Sequence, residues 1–185
     1  MSTATKLAVL SLLLVATRAA AQSEPTAADL IKTTPGQKTQ VKPDTAPELQ
    51  IQLNHADGNY SDGDLLRVRV RTLRSAHLYM LYHQADGTAV LVFPNIDRKN
   101  SRFAGNQTHE LPSRNDEVQC VIRGPFEREL VQVVASPVAI ASFEDALKQA
   151  DGSVPTMKST TVDAICSEHA EKKGLVSEVA VVTAK

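Results

Sequence analysis

The residues of this chain best suited to chemistry are five histidines, two cysteines, an acidic turn and a run of alternating arginines. His55, His77, His83, His109 and His169 are never two or four positions apart, the spacings that set two imidazoles on one strand face or one helix face. His77 and His83 share a strand face, but at roughly 3.3 Å per residue they are about 20 Å apart, too far to share a zinc ion. Only residues meeting from distant positions could build a zinc site. The acidic turn Asp57, Asn59, Asp62 and Asp64 offers oxygen ligands for a hard cation such as calcium. Counted as an EF-hand loop from Asp57, it has Asp62 where glycine is needed and Val68 where a bidentate glutamate is needed, so it reads as a solvated hairpin. No metal or cofactor is expected.

Cys120 alternates with Val118 and Ile122 on the apolar side of a strand, and Cys166 lies on the apolar stripe of a helix. In an exported chain two such thiols suggest a Cys120–Cys166 disulfide tying helix to sheet; two separate buried thiols fit the same pattern. An apolar setting suits neither for nucleophilic catalysis, which needs an accessible thiolate. The chain has no Gly-x-Ser-x-Gly elbow and no phosphate-binding glycine loop. Glu144-Asp145 sits at a helix start, where acids complement the dipole. No catalytic residue is therefore assigned. Arg67, Arg69 and Arg71 point to one side of a strand at about 7 Å intervals and could grip an acidic partner. They are the candidate binding residues. Asn59-Tyr60-Ser61 and Asn106-Gln107-Thr108 match the glycosylation sequon, which matters only in a eukaryotic secretory route.

The elements that must position these residues follow from composition and period. Lys6, the apolar run from Leu7 to Ala16 and Ala19-Ala20-Ala21 have the three parts of a cleavable secretory signal over residues 1–21. The run is about half of the roughly 20 residues needed to span a bilayer, so no membrane span is expected. Cleavage removes Lys6 and Arg18 but no acid, leaving 18 basic against 21 acidic residues, a balance that does not recruit nucleic acid. Residues 22–47, with four prolines among Thr, Lys, Gln and Asp, read as a flexible linker. With Trp absent, a carbohydrate platform of stacked indoles is not expected.

From Leu49 the pattern turns to period two. Leu49, Ile51 and Leu53 share one strand face, and Leu66, Val68 and Val70 share another. Further strands are expected at 76–83, 89–93, 108–111, 118–122, 129–136 and 176–183, with Asp86-Gly87 as a hairpin turn. Helices are expected near 142–150, capped by Ser142, and 161–173, capped by Thr161 and stopped by Gly174. Residues 48–185 then form a single domain of the all-β class, an antiparallel β-sandwich, Ig-like in general architecture, with short C-terminal helices.

The ordered set Tyr60, Gly63-Asp64, Leu66, Val68, Val70, Leu78-Tyr79, Asp86-Gly87, Leu91-Val92-Phe93-Pro94-Asn95, Leu111-Pro112, Gly124-Pro125-Phe126, Glu129 and Ala135-Ser136 resembles a bacterial family, the domain of unknown function 4384, over Tyr60 to Pro137. Its members stand behind signal peptides or beside protein kinase, caspase-like and envelope modules, so the resemblance implies an accessory module and carries over no catalytic residue. Here Glu127-Arg128 replaces a glycine usual before the glutamate. Taken together, these readings lead us to expect an exported, periplasmic or extracellular, non-catalytic module that binds a protein or envelope component. The alternative is a secreted hydrolase whose site is assembled from distant residues.

Overall fold

The computed structural model describes residues 48–123 and 128–184. The proposed signal and linker, and the Gly124-Pro125-Phe126-Glu127 part of the family pattern, lie outside the described residues. Apolar alternation starts the domain at β1 (Leu49–Leu53), which pairs antiparallel with β4 (Val68–Thr72). On its other side β4 pairs with β8 (Thr108–Leu111), giving a three-stranded sheet in the order β1-β4-β8. Val68, Val70 and Thr72 are buried while Arg69 and Arg71 face solvent, as the period-two pattern requires.

A larger sheet lies against the inner face of the first. Its order is β11 (Thr156–Lys158), β6 (Thr88–Phe93), β5 (Ala76–His83), β10 (Arg128–Ser136), β12 (Val176–Ala184) and β2 (Asn59–Tyr60), with β7 (Arg102–Phe103) pairing on β5. All its ladders are antiparallel except β12 with β2. A short ladder of β3 (Leu65–Leu66) with β9 (Cys120–Val121) stands apart. The chain is therefore the expected antiparallel sandwich, mostly β, with one parallel pair added.

The large sheet is apolar on both faces. Leu78, Met80 and Tyr82 of β5, with Val131, Val133 and Ala135 of β10, face the small sheet and pack with Leu49, Val68, Val70 and Leu111. Tyr79, Leu81, Leu91 and Val134 face the other way, under Phe143 of α1 (Ala141–Gln149) and Val162 and Cys166 of α2 (Ser159–Lys173). Strands that read as near-continuous apolar runs rather than strict alternation are those buried on both sides. The helices thus form a third layer.

Local differences from expectation have physical causes. Neither helix has a side-chain N-cap: α1 starts after Ile140, which is fully buried and anchors that end by packing, and α2 starts after Lys158, two residues before the proposed Thr161 cap. Gly174 does stop α2, at φ 69°. Gly87 closes the β5–β6 hairpin at φ 83°, and Asp86 Oδ1 accepts the Thr88 N–H at 2.8 Å. The expected strand at 118–122 shrinks to β9.

The approach of the β7–β8 loop to the end of β4 leaves no room at Gly105. A Cβ there would lie 2.5 Å from the Arg74 carbonyl carbon and 2.7 Å from Leu73 O. Gly105→Ala is expected to cost about 1–3 kcal/mol by forcing a backbone shift, read as a lowered urea midpoint at unchanged slope. An unchanged midpoint would show that the loop does not pack as described.

Candidate functional site

The outer face of the small sheet carries the arginines. Arg69 stands opposite Gln52 on β1 and Glu110 on β8, and Arg71 opposite Gln50 and Thr108. Arg67 lies just before β4, where Asn54 Oδ1 accepts its backbone N–H at 2.8 Å. The same Asn54 oxygen accepts the Tyr60 hydroxyl at 2.9 Å, and Asn54 Nδ2 donates to Leu65 O at 2.8 Å, so one amide fixes the start of the stripe. Among the described residues neither Arg69 nor Arg71 has an ion-pair partner.

A pocket of about 320 Å³ opens at the Arg67 end of this face. Arg67, Arg69 and Arg114 supply its charge, Glu110 opposes it, and Gln52, Leu53 and His55 are among the residues that complete the wall. Glu110 Oε1 lies 3.6 Å from Arg67 Nε and 3.5 Å from Arg114 Nε, so one carboxylate stands between two guanidiniums. Arg67 Nη2 donates to Gln119 Oε1 at 3.3 Å, whereas its buried Nε has no hydrogen-bond acceptor. The His55 ring stacks on Tyr60 at 4.4 Å. Sequence reasoning found Arg67, Arg69 and Arg71; it missed Arg114, which joins them only because the turn after β8 carries it back.

The other candidates fall elsewhere. Asp57 accepts both the backbone and side-chain N–H groups of Asn59, and these bonds hold its carboxyl below the usual carboxylate range. Asp64 Oδ2 accepts the Ser61 N–H at 2.7 Å, and Asp62 pairs with Arg123 at 3.6 Å. Asp62 thus reaches Arg123 just beyond β9, whereas Asp57 and Asp64 tie their own turns. Asn95 works likewise, accepting the Asp97 and Arg98 N–H groups at 3.1 and 2.9 Å, which gives the Pro94-Asn95 element a structural reason. Glu129 is buried and accepts the Tyr82 hydroxyl, whose ionisation is pushed up by burial and then by that carboxylate.

The histidines scatter, but two meet serines. His83 is buried between Ser159 Oγ, 2.9 Å from Nδ1, and Gln132 Oε1, 3.0 Å from Nε2. His77 Nδ1 lies 2.9 Å from Ser101 Oγ, which donates to Glu144 Oε1 at 2.7 Å; Tyr79 donates to that same oxygen at 3.0 Å. Burial, then the nearby Arg102, lowers the His77 pKa. In this second group the acid holds the serine and not the imidazole, which is the wrong order for a base held by a carboxylate.

The proposed disulfide is not formed. Cys120 packs against the core between the sheets and Cys166 lies in the core under α2. Both positions are apolar, as their periodicity says, but the large sheet has two apolar sides and the thiols take one each.

With the geometry in view, comparison places the middle of the chain. Residues 59–139 match the family model of the domain of unknown function 4384. No curated protein and no solved structure matches the chain. The matched segment holds Arg67, Arg69, Arg71, Glu110 and Arg114 but leaves Gln52 and His55 of the pocket outside. It also leaves out β12, β11 and both helices, which complete the large sheet and cover it.

Burial pushes both thiols up to about 12. Between about 9 and about 12 the unfolded chain loses thiol protons that the folded chain keeps, so these groups make stability fall as pH rises through that window. At pH 8 a disulfide-exchange reagent is expected to leave both thiols of the native protein almost unreacted. Unfolding in urea without reductant should expose two reactive thiols per chain; finding none would restore the bridge.

Proposed function

We propose that this chain is an exported, non-catalytic binding module of the cell envelope whose contact surface is the arginine-bearing outer face of the small sheet. The carrying observation is positive charge in excess of its acids on one strand face: Arg67, Arg69 and Arg71 on or beside a central strand, with Glu110 as the acid set among them. Strand faces of this kind are ordinarily balanced by acids on neighbouring strands. Here those neighbours are Gln50, Gln52 and Thr108 besides Glu110. The partner this face fits is an acidic protein or another anionic envelope component. Export rests on the secretory pattern of residues 1–21, and no described helix is long and apolar enough to cross a membrane.

In-cell crosslinking of the tagged protein in its native host, followed by mass spectrometry, is expected to capture a reproducible envelope partner that Arg69→Ala/Arg71→Ala loses. Attraction through exposed charges should also weaken as salt shortens the Debye length from about 10 Å at 0.1 M. Capture that is indifferent to both the substitutions and salt would overturn the reading.

The Ser159–His83 contact favours one second reading, a hydrolase. Ser159 opens α2 directly after a strand, and His83 Nδ1 is placed to take its proton while Nε2 donates to Gln132. A fluorophosphonate probe would then label Ser159, and His83→Ala would abolish labelling. The binding-module reading predicts no labelling of the native protein.

A further inference from the structure

Resting on the reading of the arginine face as a binding surface, we propose that the pocket at its Arg67 end is a recognition site for a phosphomonoester carried on a sugar.

The charge count selects the dianion. Three guanidiniums, those of Arg67, Arg69 and Arg114, stand against the one carboxylate of Glu110, so the pocket presents a formal net charge of about +2. A carboxylate would leave half of that unmet, whereas a phosphomonoester carries about −1.5 to −2 at neutral pH. Guanidinium forks also match phosphate oxygens in geometry, and several around one cavity can hold the group from different sides. The hydrogen-bond pattern agrees. Arg67 Nε is buried with no acceptor for its hydrogen, and Glu110, at 3.6 Å, holds its charge without making that bond. Arg69 has no ion-pair partner among the described residues, and Arg114, although paired with Glu110 at 3.5 Å, has a side chain 73% exposed that can reach a ligand.

The size and lining select the carrier. At about 320 Å³ the pocket is at the small end of ligand sites, roughly 300–1,000 Å³, and it exceeds what a phosphate group alone would fill. Beside the arginines stand the Gln52 amide and the half-exposed His55 ring, which can bond hydroxyls, and Leu53 and Ala56, which suit an apolar ring face. His55 is itself held flat against Tyr60, 5° from parallel, so the wall it forms is fixed in advance. Without tryptophan the chain has no indole on which to stack a sugar, so affinity would come from the phosphate and the ring would add selectivity.

The test is calorimetric titration of the full mature chain with glucose 1-phosphate, inorganic phosphate, glucose and a phosphoserine peptide. Glucose 1-phosphate is expected to bind saturably and several-fold more tightly than inorganic phosphate, with glucose silent. Arg114→Ala, at an exposed position that should not disturb folding, is expected to weaken binding at least tenfold. Lys148→Ala, on α1 across the large sheet from the pocket, should leave it unchanged. The site is overturned if glucose 1-phosphate does not bind at millimolar concentration or binds Arg114→Ala equally well. Equal binding of inorganic phosphate, or tighter binding of the phosphoserine peptide, overturns the sugar assignment. Failure here together with partner capture that still depends on Arg69 and Arg71 would remove the pocket ligand and leave the wider reading standing.

Discussion

Burial of β5 and β10 on both faces is the constraint from which the rest of the structure follows. Leu78, Met80 and Tyr82 need a cover on one side and Tyr79 and Leu81 on the other, so the chain must build a layer on each. The three-stranded sheet supplies the first and the two helices the second. Because a sheet of three strands must bury its inner face to serve as that cover, its outer face is left to solvent, and that is where Arg69 and Arg71 stand. The position of the candidate site is thus a consequence of how the core is closed.

Polar groups inside this arrangement act as fasteners between layers. Tyr79 takes the Ile140 N–H at 2.9 Å and donates to Glu144, which docks the start of α1 on the sheet. His83 and Gln132 reach α2 through Ser159 and Cys166. Buried polar groups are retained when each finds a partner, and these do. The pocket is the contrasting case: Arg67 keeps a buried N–H without an acceptor, and Arg69 and Arg71 share a strand face on which Glu110, opposite Arg69, is the acid paired across from them.

Much of this was legible in the sequence. Alternation gave Val68, Val70 and the arginines opposite them, the Asp86-Gly87 turn gave the central hairpin, and Gly174 gave the end of α2. What alternation could not give was which of two cores a residue joins. Cys120 and Cys166 both read as inward-facing, and only the three-layer arrangement separates them. The short strands β2, β7 and β11 were missed because two or three residues show no period; they form where a neighbouring strand offers an edge. Arg114 was missed because a turn residue gains its role from where the turn ends. Glu129 stood in the family pattern without a reason, and its bond with Tyr82 supplies one.

The central claim is that the arginine face serves a partner and contributes nothing to holding the fold. Urea unfolding of Arg69→Gln/Arg71→Gln, compared with the unaltered chain at low salt, tests it most directly. The account predicts a stability unchanged within about 0.5 kcal/mol or raised by relief of repulsion, as for surface substitutions away from structural contacts. A loss of more than about 1 kcal/mol would make these arginines part of the framework and contradict it.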